Sequence, residues 1–329
     1  MSHCEQDLSD DGLHRIRMQN RYLALSVLPE AGGKISELTD LGGGRNWLWQ
    51  NPAMPHRVAR YASDYGKALD SGGLDEILFS VHGSKLQLPG GRDCRIPDHG
   101  DVVGQQWSVD QLSGRDDGQA LCRMSVAGRV LNYRFERAIS LDSNKADVRL
   151  DYTLVNKESV PLPWYWCAHA LTPLDPDSVI DLPGGQPFRV DDEPTRRMAV
   201  AVEEHAWPTL RLRNGRVLDL SRGFGDGGAL PNFAAKVFVR SPASGTVRLK
   251  GKHDERLTWR YSPDDLPWLG LWINNRGWSG GDAEPYLNLG VEPATTPYDS
   301  LADALGHDSV RWIEPGSSRS WSVTVGVRA

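Results

Sequence analysis

Several things are scarce in this 329-residue chain, and each scarcity excludes something. Cysteine is rare: the four residues at 4, 94, 122 and 167 lie far apart with no C-x-x-C, which argues against both a zinc site and a disulfide framework in a chain of this size. Cys167, inside "WYWCAH", is expected as a buried small apolar residue rather than a nucleophile. No segment approaches 18 apolar residues, and the opening "MSHCEQDLSDDG" is acidic where a secretory leader is basic and then apolar. The chain is therefore expected in the cytoplasm, without a membrane partner. Lys/Arg runs are also missing and the net charge is −6, so there is no electrostatic footprint for nucleic acid. No serine stands in G-x-S-x-G and no H-E-x-x-H occurs; "RGFGDGG" at 222–228 lacks the lysine and helix of a phosphate loop. No metal is expected.

Helical periodicity is scarce too. It is confined to a turn or two near "SLADAL" (300–305), where Ser300 is placed to cap. What fills the chain instead is alternation with period two: "YLALSVL" (22–28), "ALCRMSVAG" (120–128), "NYRFERAISL" (132–141), "ADVRLDYTLV" (146–155), "TLRLRNGRVLDL" (209–220), "AKVFVRS" (235–241), "GTVRLKG" (245–251), "RLTWRYS" (256–262) and "SWSVTVGV" (320–327). Such runs put one row of side chains on a core and the other in water, the pattern of half-buried antiparallel strands. "RNGR" at 213–216 and "LDSNKAD" at 141–147 join neighbouring runs as hairpin turns. Glycine and proline are spread without a concentrated linker, so one all-β domain over 1–329 is expected, with 1–18 as a loosely ordered N-terminal extension.

Twelve tryptophans are present, clustered in "PWYW" (163–166) and "PWLGLWINNRGW" (267–278). Most are expected in the core. Their flat apolar faces also suit the C–H face of a sugar at the base of a cleft; Trp272 is the preferred candidate, with Trp166 beside it.

Three segments carry titratable groups next to apolar strands: "DHG" with His99, "WCAHALTPL" with His169, and "YLNLGVEPATTPYDS" with Glu292. Gly100 lets the backbone beside His99 approach a bound molecule, and "PWYWC" would bury His169. A Glu in "LGVEP" is either paired with a cation or held ready as a base, because an unpaired buried carboxylate has a raised pKa. Asp75 and Glu76 in "GGLDEILFSV" are adjacent, so on a strand they point to opposite faces, and at most one lines a cleft.

These segments, in this order, resemble the aldose 1-epimerase (galactose mutarotase) family, and "LVNKESVPLPWYWCAH" and "IEPGSSRSWSVTVGV" resemble its Asn-rich hairpin and closing strand. "GGLDEILFSV" and "PDHGDVVGQQW" look closer to its divergent branch. The resemblance implies an antiparallel β-supersandwich acting without a cofactor on a monosaccharide or sugar derivative. It also implies Glu292 as the base that takes the anomeric proton, His169 as the acid on the ring oxygen, and His99 as a hydrogen-bonding partner. Arg60, Asp75 and Glu76 are the candidates for the sugar-binding polar residues. Two alternatives stand beside it: a non-catalytic carbohydrate-binding protein of the same fold, and a hexose-phosphate 1-epimerase, which requires an Arg/Lys cluster at the pocket, with "PTRRM" (194–198) and Arg60 on offer.

Overall fold

The computed structural model describes residues 2–114, 118–191, 193–201, 205–252, 255–280 and 284–328. Two antiparallel sheets dominate. Among the described residues the larger has thirteen strands and the smaller eight. The smaller took six of the nine alternating runs: Thr246–Lys250, Arg256–Tyr261, Ser318–Arg328, Asp147–Asn156, Tyr133–Asp142 and Gln119–Ala127 lie side by side in that order, while the runs at 22–28, 209–220 and 235–241 joined the larger. The hairpin expected at 141–147 joins Asp142 to Asp147, and the Asn-Gly turn joins Thr209–Arg211 to Val217–Asp219.

The sheets face one another across a shared apolar core. Trp166 of the larger sheet packs 4.9 Å from Tyr152 and 5.3 Å from Trp321 of the smaller, measured between ring centroids. Side chains of Leu25, Ile35 and Leu74 meet Val148, Leu257 and Val325 in the same way. Rings this large bury much apolar area and dominate such a core.

The middle of the larger sheet carries the candidate site. Its central strands run in the order Leu74–Leu78, Trp166–Pro173, Leu287–Ala294, Trp268–Asn275 and Phe233–Arg240. They are buried on both faces, because one face meets the smaller sheet and the other is roofed by turns and a short helix, Tyr65–Ala68. Odd and even residues of each strand therefore serve different environments.

Two expectations need correcting. Residues 1–18 are not a loose extension where described: His3–Leu8 and His14–Gln19 pair in register from His3↔Gln19 to Leu8↔His14 at the edge of the larger sheet. Their side chains are mostly exposed, so main-chain pairing rather than burial places the outer strand. Helix is not confined to the 300s either. Leu301–Gly306 is capped by Ser300, whose Oγ accepts the Asp303 N–H at 3.2 Å, but Tyr65–Ala68 and Glu193–Met198 are helical as well.

Candidate functional site

On the outer face of the central strands lies a cavity of about 490 Å³. Its floor is built from alternate residues of neighbouring strands: His169 and Leu171, then Asn288 and Glu292, then Trp272, then Lys236. Gly290 lies between Asn288 and Glu292 on the same face. A Cβ there would fall 2.8 Å from Glu292 Oε1 and 3.0 Å from the Trp272 Cβ, so the missing side chain keeps the floor open.

Glu292, 0% exposed, is the hub. One carboxylate oxygen, Oε1, is 3.0 Å from His169 Nδ1, and the other, Oε2, accepts from the Lys236 ammonium. Lys236 also stands 3.3 Å from Asp299 Oδ1. Burial pushes the Glu292 carboxyl up, but Lys236 and His169 outweigh it and hold it below the usual carboxylate range. Lys236 is held charged by the same contacts: burial pulls it down, and Asp299 and Glu292 more than reverse that. Of the two environments expected for this Glu, the structure shows the paired one.

The roof holds the second histidine. His99 belongs to a turn rather than a strand end, with φ +56°, and its N–H donates to the Val81 carbonyl at 2.6 Å. Gly100 follows at φ +84°, where a Cβ would stand 2.4 Å from the Leu78 carbonyl oxygen; only glycine fits without moving the backbone. The imidazole stacks on Tyr65 at 3.7 Å with 7° between planes, and it meets His169 edge-on at 5.5 Å. Its Nδ1 is 3.2 Å from Asp98 Oδ1 but is not aligned to hydrogen-bond it. Burial pushes the His99 pKa down, with Asp98 pulling the other way. Asp98 in turn accepts the Tyr65 N–H at 3.1 Å, tying the turn to the helix.

The structure thus brings His99, His169, Glu292 and Trp272 to one cavity, and sends the other expected residues elsewhere. Glu76 and Trp166 project into the core between the sheets, where Glu76 accepts from Trp166 Nε1, Tyr152 Oη and Arg137 Nη1, each at 2.9 Å. Neither lines the cavity, because strand alternation commits both to the inner face. Asp75 takes the outer face but lies beneath the wall, where its Oδ2 accepts from Lys34 at 2.6 Å and from the Tyr65 hydroxyl at 2.7 Å. It positions the ring that stacks on His99. Arg60 is exposed and off the cavity wall, since its segment carries no strand to hold it there.

Sequence reading missed Lys236, Tyr65, Asp70 and Asn288. A signal existed for two. Lys236 shares a strand face with Phe238, which marks that face as buried, and Asn288 lies two steps of two from Glu292. Asp70, in "ALDSGG", carried none. Among the described residues no group of three or more His, Cys, Asp or Glu side chains could hold a metal ion, and no helix is long and apolar enough to cross a membrane.

No protein-family model matches the chain, nor does any curated protein. Solved structures match in fold. A galactose mutarotase-like protein from Clostridium acetobutylicum superposes with a TM-score of 0.70 at 15% identity, over 99% of this chain and 98% of its own. A candidate aldose 1-epimerase from Klebsiella pneumoniae gives 0.69 at 14%, over 98% and 83%. A galactose mutarotase-like protein from Lactobacillus casei gives 0.64 at 16%, over 95% and 100%. At such identities the likeness is one of fold.

Proposed function

We propose that this chain, which has the galactose mutarotase-like fold, interconverts the α and β anomers of a sugar in the cavity around Glu292. The observation that carries the proposal is the His169–Glu292 couple, 3.0 Å apart, on the floor of a cavity with aromatic walls. A carboxylate offers about four lone-pair sites, so Glu292 can accept the anomeric hydroxyl while keeping both present partners. Protonated His169 then gives its proton to the ring oxygen as Glu292 takes the anomeric one. The C1–O5 bond breaks, rotation about C1–C2 turns the aldehyde over, and the reverse transfers close the other anomer.

Lys236 shapes this chemistry. It keeps the carboxylate ionised and ready, and it makes a fully protonated Glu292 costly. Transfers at the two ends of the couple must therefore be nearly simultaneous, so that its total proton count stays constant. Each positioned donor or acceptor is worth about 10²–10⁴-fold. His99, kept neutral by burial and fixed by its stack on Tyr65, serves as a hydrogen-bonding partner to the sugar oxygens.

A second reading, a sugar-binding protein without chemistry, draws support from the same lysine, because a carboxylate clamped by an ammonium is a weakened base. The hexose-phosphate reading loses ground. The one lysine among the described lining residues is engaged by Glu292 and Asp299, and Arg196 of "PTRRM" pairs with Asp191. Exchange spectroscopy by NMR on a panel of free sugars separates the readings: wild-type protein should speed anomer exchange and Glu292→Ala should not. Tight binding with no acceleration would select the second reading.

A further inference from the structure

The aromatic side of the cavity is furnished differently. Trp272 and Trp278 meet edge-to-face at 5.8 Å and 86°, and Trp278 meets Tyr286 at 5.7 Å and 88°. Trp272 and Tyr286 each stand nearly at right angles to Trp278 and with it form a partial box, whose third wall, Tyr286, donates its hydroxyl to Asp70 Oδ2 at 2.5 Å. Asn274 fixes the box. Its Oδ1 accepts the N–H groups of Gly277 and Trp278, both at 3.1 Å, and its Nδ2 donates to the Trp278 carbonyl at 3.0 Å.

Two buried polar side chains here are sparsely partnered. Asp70 is 2% exposed, yet Tyr286 is the one hydrogen-bond donor to its carboxylate among the described residues. Asn288 is 0% exposed and lines the same cavity, with neither its Oδ1 nor its Nδ2 partnered. A buried amide with both ends unmet is uncommon in a native fold and calls for a partner that supplies a donor and an acceptor together. Charge narrows the partner further. Five carboxylates line the cavity, at 64, 70, 98, 292 and 299, against the single ammonium of Lys236, which two of them already hold.

We propose that the ligand is an amino sugar, with its protonated amine in the ring box against Asp70 and a neighbouring hydroxyl on Asn288. This rests on the sugar reading above and narrows its substrate class. Ring faces carry negative charge density and attract an ammonium, and Asp70 supplies the counter-charge. A ring hydroxyl both donates and accepts, which satisfies Asn288. Anionic sugars meet the reverse: a phosphate or carboxylate would enter beside unpaired negative charge with no free cation to receive it.

Calorimetric titration at about pH 7 tests this with glucosamine and galactosamine against glucose, galactose, N-acetylglucosamine, glucuronate and glucose 6-phosphate. Hydrogen bonds to charged groups imply that an amino sugar binds at least about tenfold tighter than its hydroxyl parent. Asp70→Asn, checked for folding by circular dichroism, should bring the two to parity, and the anions should bind least. Equal affinities, no measurable binding of the amino sugars, an amine preference that survives Asp70→Asn, or tighter binding of the anions would overturn the proposal. Anomer exchange is read separately. Exchange of neutral sugars without amine preference sinks only the amino-sugar site, and amine preference without exchange sinks only the epimerase.

Discussion

Replacing Asp70 by asparagine should stabilise the fold at neutral and alkaline pH and leave it unchanged in acid. Burial lifts the Asp70 carboxyl from an ordinary 3.8 to about 6, with the Tyr286 hydrogen bond and the charge of His169 pulling it back only in part. Because this value is higher folded than unfolded, the native chain binds the extra proton between roughly pH 4 and pH 6. The group's contribution is therefore intact at low pH and is lost as pH rises through that window. At about 1.4 kcal/mol per pH unit, the ionised carboxylate costs the fold about 3 kcal/mol by pH 8. Asparagine has nearly the same shape, keeps an oxygen for the Tyr286 hydroxyl, and carries no charge to desolvate. Urea denaturation at pH 8 and pH 4, compared at constant slope, should show a gain of about 2–3 kcal/mol at the first and nearly none at the second. A loss at pH 8, or an equal gain at both values, would refute the reasoning, since either would mean that the carboxylate is well compensated where it lies. Stability given up at a binding site in this way is common where function requires the group.

Other substitutions probe the rest of the framework. Gly290→Ala should place a methyl against Glu292 and Trp272 and cut sugar binding or exchange by at least about tenfold while the chain stays folded, as measured by titration and circular dichroism. Arg137→Ala should lower unfolding free energy by about 3–5 kcal/mol, because it leaves the fully buried Glu76 without its cation; thermal and urea denaturation check this. Glu76→Gln should leave sugar affinity within about twofold, measured by calorimetry. A large loss there would return Glu76 to the binding site.

What could be read from the sequence followed burial. Strands of the smaller sheet keep one face near solvent, as in Asp147–Asn156, where buried residues alternate with half-buried or exposed ones, and period two revealed them. Trp166–Pro173 is covered on both sides, so alternation fades there and most of it reads as an apolar run, whereas Leu287–Ala294 keeps an alternating sequence although its polar face is buried too. The outermost strand, His3–Leu8, is polar and exposed, held by backbone pairing that leaves no hydrophobic trace. The same logic governs the site. That Asp75 and Glu76 part to opposite faces followed from adjacency, whereas which face held the cavity depended on sheet order. Glu292 announced itself as a polar residue in an apolar strand, but its cation comes from two strands away, Lys236 on Phe233–Arg240, and no local pattern pairs them. Asp70 depends on tertiary burial alone.

The most direct test of the account is anomer exchange measured by NMR with wild-type protein and Glu292→Gln, across amino sugars and their neutral parents. The account predicts acceleration by the wild type for at least one of these sugars, and return to the buffer rate for a variant that remains folded. A wild-type protein that binds a sugar and leaves its exchange at the buffer rate, or a Glu292→Gln variant as fast as wild type, would contradict it.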